Sequence, residues 1–139
     1  MLAEQLQQQL TLINTLQSIL EAETTCLKEK NFSSLKEILS DKQNALQQIA
    51  SIDDSLIKNG LQKALAENEK LQQLKQEIDK QLRSCKKSND INGQLVTLSM
   101  KSNKHLMQIL KQETGKNSVT YNNKGSLTSA SLLGQDIKA

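Results

Sequence analysis

Residues 61–111, LQKALAENEKLQQLKQEIDKQLRSCKKSNDINGQLVTLSMKSNKHLMQILK, decide the fold. Leu71, Ile78, Cys85, Asn92, Ser99 and Leu106 recur every seven residues, with Leu74, Leu82, Leu95 and Ile109 or Leu110 as a companion stripe. This three-then-four spacing puts apolar and small side chains on one helical face. The stretch contains no proline, so it reads as a single helix of about fifty residues, roughly 75 Å long at about 1.5 Å per residue. A helix of that length, polar on its other faces, cannot bury its stripe alone and requires partner helices.

Those partners precede it. Leu6, Ile13, Leu20 and Leu27 form another seven-residue repeat, flanked by Leu2, Leu10, Leu12, Leu16 and Ile19, and predict a helix over about residues 2–30. Asn31-Phe32-Ser33-Ser34 interrupts the pattern, and Ser34 with Glu37 fits a capping box. A second helix over about residues 34–57 follows, its stripe made of Leu35, Ile38, Leu39, Ala45, Leu46, Ile49, Ile52 and Leu56. It either starts afresh or continues the first with a bend at Asn31. Asp53-Asp54 and Asn59-Gly60 bracket the reversal into the third helix, 61–113, with Gly60 suited to a left-handed C-cap. The expected fold is all-α: an elongated antiparallel helical hairpin or three-helix, coiled-coil-like bundle over 1–113, and a flexible C-terminal tail over 114–139.

Composition agrees. Phe32 and Tyr121 are the only aromatics among 139 residues, and proline is absent. Strands favour aromatic and β-branched residues, so sandwiches and α/β enzymes are disfavoured. The body to residue 113 carries 15 Lys or Arg against 14 Asp or Glu, a balance of +1, and the tail adds +2. Lys80, Arg83, Lys86, Lys87, Lys101 and Lys104 are opposed in their interval only by Asp90. As a set of six they do not share one face, which favours a solvated surface over an acidic partner; without a motif or stacking aromatics, no nucleic-acid partner is expected.

The N-terminus lacks the basic and apolar regions of a secretory signal, and no apolar run approaches the length of a membrane span. A cytoplasmic protein without membrane insertion is expected. Cys26 and Cys85 then read as small core residues; a fold about residue 58 would set position 26 opposite roughly position 91, leaving the thiols in nearby layers without facing each other. No metal or cofactor is expected, given two cysteines and one histidine without ligand spacing. Nor is an enzyme: no phosphate loop, nucleophile elbow or HExxH is present, His105 has no motif around it, and Asp79 and Arg83 make an ordinary i, i+4 pair.

Two places keep two readings. Around Asn89, Asn92, Gly93, Ser99, Ser102 and Asn103 the stripe weakens, as polar core groups that set register or as a groove that closes on a partner. In the tail, half of whose residues are Asn, Ser, Thr or Gly, the apolar islands Val119-Thr120-Tyr121, Leu127, Leu132, Leu133 and Ile137 either pack on the bundle or dock other proteins.

Several segments, in order, carry a resemblance: Leu16, Ile19, Leu20 and Glu23, then Leu27, Asn31-Phe32, Leu35 and Leu39 leading to Lys42; Asn89-Asp90-Ile91-Asn92-Gly93-Gln94-Leu95; and Thr120-Tyr121-Asn122-Asn123-Lys124-Gly125. The chain resembles the FlgN-type flagellar export chaperones over nearly its whole length, departing from them at Asp53-Asp54-Ser55, where the family often has a basic residue.

The resemblance implies a cytoplasmic chaperone that binds the C-terminal helical region of the hook–filament junction proteins, prevents their premature assembly and delivers them to the type III export gate. Candidate cargo contacts are then Leu95, Leu98, Met100, Leu106, Met107, Ile109 and Leu110, with Val119, Leu127, Leu132 and Leu133 from the tail. Tyr121 matches the family's tail tyrosine, implicated in docking on the cytosolic domain of the gate's large membrane subunit; packing on its own bundle is its other reading. The alternatives are a generic helical scaffold without a secretion role, including a homodimer on the long helix, and a regulatory enzyme built on a helical hairpin.

Overall fold

The computed structural model describes the backbone of residues 1–116 and the side chains of residues 1–111. Five helices follow in order: α1 (Leu2–Lys28), α2 (Leu35–Lys58), α3 (Leu61–Leu65), α4 (Glu69–Met100) and α5 (Lys104–Lys116). Among the described residues there is no strand, and no helix is long and apolar enough to cross a membrane.

The first helix ends in a Schellman turn. The Lys30 amide donates to Leu27 O at 3.2 Å and the Asn31 amide to Cys26 O at 3.0 Å, with Lys30 held at φ 58°. The chain therefore reverses here rather than bending, and α2 runs antiparallel to α1. Ser34 occupies the position before α2, but its backbone is already helical (φ −84°, ψ −14°) and its side chain makes no cap bond. A capping hydroxyl needs an extended backbone to reach back to the first-turn amides, so the expected capping box with Glu37 does not form. Gly60 does take the left-handed conformation expected of it, at φ 76°.

The single long helix does not exist. It is cut into three by two asparagines that act alike: Asn68 Oδ1 accepts from the Leu71 amide at 3.2 Å and Asn103 Oδ1 from the Leu106 amide at 3.0 Å. Each side chain caps an N-terminus by satisfying the amide three residues on, and Asn68 is extended (φ −134°, ψ 110°) as a cap requires. Gly93, by contrast, stays inside α4.

Breaking the helix changes the topology. α4 runs parallel to α1, at an offset of 72 residues: Cys85 Sγ lies 3.6 Å from Ile13 O, and Asn92 Nδ2 donates to Leu20 O at 3.0 Å. Of the two expected architectures, the three-helix bundle is the one adopted, with α1 packed against both α2 and α4. Its main core joins Leu6, Ile13, Leu16 and Leu20 to Leu46, Ile49 and Leu56 and to Leu71, Ile78, Leu82 and Cys85. The parallel arrangement also separates the thiols. Cys85 sits beside Ile13, and Cys26 is thirteen residues further along α1, about 20 Å away at the helical rise. Both cysteines are free and buried. Asp79 pairs with Lys75 at 3.0 Å, the i, i−4 neighbour rather than the expected Arg83.

Burial pushes both thiols up, that of Cys85 to about 12. Reaction with iodoacetamide near neutral pH should therefore be negligible for both in the native protein and become rapid in denaturant, read by mass spectrometry. The two left-handed positions should respond oppositely to substitution. Gly60→Ala, which meets no neighbouring atom, should cost about 1 kcal/mol in urea unfolding, and Lys30→Gly should gain up to about 1 kcal/mol.

Candidate functional site

A second apolar cluster closes the end of the bundle where α1 turns into α2. Cys26 and Leu27 from α1, Phe32 from the turn, Leu35 and Leu39 from α2 and Val96 from α4 surround Leu106, Ile109 and Leu110 of α5. The i, i+3, i+4 spacing of those three gives α5 one apolar face, and the Asn103 cap lets it leave the line of α4 and lie on α2.

This end gathers most of the candidate contact residues. Leu106, Ile109 and Leu110 are buried in the cluster, Leu95 and Met100 pack half-buried on its edge, and Met107 is half-buried. Leu98 does not join them: it is 64% exposed on the outward side of α4, because Val96 and Asn92 define the inward side. Val119, Tyr121, Leu127, Leu132 and Leu133 lie outside the described residues.

Beneath the cluster the core is polar. Lys42 of α2 and Glu23 of α1 are both 0% exposed, with Lys42 Nζ 3.1 Å from Glu23 Oε1 and 3.4 Å from Oε2. Lys42 Nζ also donates to Asn89 Oδ1 of α4. Asn92 Nδ2 donates to Glu23 Oε1 at 2.9 Å, while the Thr24 hydroxyl donates to Asn92 Oδ1. Burial pulls the Lys42 ammonium below the ordinary lysine range; the carboxylate of Glu23 pulls the other way. One cation, one anion and two amides from three helices, with the Thr24 hydroxyl, thus hydrogen-bond one another in the core. A second polar pair sits nearer the start of α1, where Gln9 Nε2 donates to Asp53 Oδ1 and, at 3.0 Å, to Ile49 O. Asp53, expected at the reversal, is instead buried within α2.

Asn89 and Asn92 were visible as a weakening of the stripe, and their burial fits the register reading. Glu23, Lys42 and Gln9 as core residues were missed. The signal was present in the spacing: Leu20-Glu23-Leu27, Leu39-Lys42-Leu46 and Leu6-Gln9-Ile13 each place a polar residue on an apolar line. What spacing could not give was the partner of each.

These groups have no route to a substrate, being sealed in the core. Among the described residues no set of His, Cys, Asp and Glu could hold a metal ion. A shallow groove of about 500 Å³ between α1 and α2, lined mainly by Gln7, Gln8, Thr11, Leu12 and Ile52, offers Glu4 as its one ionisable group.

Removing one member of the buried pair strands the other. Lys42→Met should destabilise the chain by about 3–5 kcal/mol, and Glu23→Leu by a similar amount, in urea unfolding followed by circular dichroism. The double variant should cost clearly less than the two single changes together, giving a coupling of about 2 kcal/mol or more.

The FlgN family model, described as FlgN protein, matches residues 1–129. No curated protein and no solved structure matches the chain. The matched range takes in all five helices, both apolar clusters, the polar core and Tyr121 beyond them. The all-α bundle, with its sealed polar core and an apolar helix laid across its end, belongs to the FlgN family of flagellar export chaperones.

Proposed function

We propose that this chain is the cytoplasmic escort of the hook–filament junction proteins. It binds their C-terminal helical region, keeps them from assembling early and hands them to the flagellar type III export gate. The observation that carries this reading is the reach of the family match. It continues to residue 129, past the end of α5 at Lys116, so Val119, Tyr121 and Leu127 fall within the segment shared with a chaperone family.

The physical case begins with where apolar area is available. Cargo of this kind carries amphipathic helices whose apolar faces drive polymerisation, and a chaperone must cover those faces reversibly. Leu95, Met100 and Met107 are half-buried at this end of the bundle, while Leu106, Ile109 and Leu110, buried against α2, become available to a cargo helix when α5 lifts from it. Val119, Leu127, Leu132 and Leu133 supply further apolar side chains in the sequence after α5. Methionines adapt to irregular partners because their side chains are unbranched and polarisable. Tyr121 is the docking residue for the cytosolic domain of the gate's large membrane subunit, since an aromatic can bury a large area at modest entropic cost. A generic scaffold would have no use for residues beyond α5.

The test is a pull-down from a flagellated bacterial lysate with the full chain and with a chain ending at Lys116. The full chain should recover a hook–filament junction protein and the shortened one should not; recovery of no flagellar protein by either would leave the scaffold. In cells, Tyr121→Ala should leave cargo capture intact and lower secretion of the junction proteins by about tenfold or more, read by immunoblot of culture supernatants.

A further inference from the structure

The outward side of α4 carries a line of side chains that the bundle does not use. At 100° per residue, Lys80, Arg83, Lys87 and Lys101 fall within an arc of about 60°, which widens to about 80° with Ile91 and Leu98. All six are exposed. Four of the six cations that looked dispersed as a set therefore share one face once α4 is oriented by its buried residues Leu82, Cys85, Asn89 and Val96. Ile91 and Leu98 are 43% and 64% exposed, two of the four most exposed large apolar side chains among the described residues. They lie one heptad apart, bracketed by Lys87 on one side and Lys101 on the other. Asp90, the one acidic residue of the interval, is at the edge of the line.

We propose that this stripe is a docking surface for an acidic amphipathic helix of another protein, laid along α4 over about 32 Å, or six turns. Two leucine-like anchors one heptad apart would pack beside Ile91 and Leu98, and carboxylates would meet the four cations. Charge selects this occupant over the others. A second copy would bring the same four cations against these four. The chain's own segment after Glu113 carries a net +2, from Lys116, Lys124 and Lys138 against Asp136, and is repelled for the same reason. An anionic membrane matches the charge, but two aliphatic side chains without an aromatic make too little apolar face to hold a helix in a bilayer surface. The stripe lies on the outward side of α4 and the end cluster on its inward side, with Leu98 the one candidate cargo contact that falls on the stripe. Lys80, Arg83 and Lys87, which are not cargo candidates, separate this proposal from the reading given above.

The test uses the full chain and a synthetic acidic helix of about six turns, with leucines one heptad apart and glutamates on either side. Titration should move amide resonances along the outer line of α4. Affinity should fall about tenfold or more in Lys80→Glu/Arg83→Glu/Lys87→Glu, and likewise in Ile91→Ser/Leu98→Ser, with the circular dichroism of both variants unchanged. Raising the salt should weaken binding, and the peptide with lysines in place of glutamates should not bind. Resonances that move elsewhere, or either variant binding as the parent does, would overturn the proposal. So would association of the chain with itself, or binding to vesicles of phosphatidylcholine and phosphatidylglycerol in preference to the peptide. A photo-crosslinker at position 98 in cells should label a protein segment rich in Asp and Glu; a lipid or a neutral segment counts against it.

Discussion

The buried contact between Lys42 and Glu23, with Asn89 and Asn92 closing around it, constrains where every long helix of this bundle can sit. Its worth is not chiefly in net stability. Taking an ammonium and a carboxylate out of water costs several kcal/mol each, and their attraction in the core returns about as much, so an apolar pair could hold the helices equally well. The difference lies in the alternatives. Leucine heptads are degenerate, and a slip of α2 by seven residues would carry Lys42 from Glu23 to the level of Leu16 with no loss of apolar pattern. It would leave an isolated buried charge on each side. The polar layer thus converts a repeating interface into one register, and because it draws on α1, α2 and α4 it fixes all three at once.

Two asparagine caps shape the rest. Had residues 61–113 stayed one helix, the chain would have doubled back as a hairpin about residue 58. The caps at Asn68 and Asn103 redirect it instead, first through the short α3 so that α4 returns parallel to α1, then through a turn that sets α5 across the end of the bundle. Three residues with helical spacing, Leu106, Ile109 and Leu110, are thereby turned from a continuation of the α4 stripe into the lid of a separate cluster with Phe32, Leu35 and Leu39. The division into a long polar-pinned core and a smaller, purely apolar end is a direct result of those breaks.

That division suits a chaperone. The stable register belongs to the middle of the bundle, while the apolar residues nearest the C-terminal segment belong to a short helix attached through one capped turn. Family membership supplies the chaperone role, and the structure supplies a bundle with a separate, smaller apolar cluster at one end. The other feature, the cationic and apolar line along α4, is carried by the same bundle on a different side.

The all-α class, the extents of α1 and α2, the left-handed turn at Gly60 and the family could be read from the residues alone, because they rest on local properties: heptad spacing, the conformational freedom of glycine, and short ordered motifs. The clustering of several candidate residues was legible in the same way. The stripe residues Leu95, Leu106, Ile109 and Leu110 do come together, since helical periodicity predicts which side chains share a face. Three things were decided only by the tertiary structure. Lys42, Glu23 and Gln9 are core residues, which their charge or polarity argues against until each is given a partner more than fifteen residues away. Asn68 and Asn103 end helices rather than ride in one, because a cap is preferred only when the turned chain finds more to bury than the straight one. Leu98 faces outward, since which stripe of α4 points inward depends on what α1 presents to it. Local pattern sets the faces; the choice of partner for each face is a property of the assembled bundle.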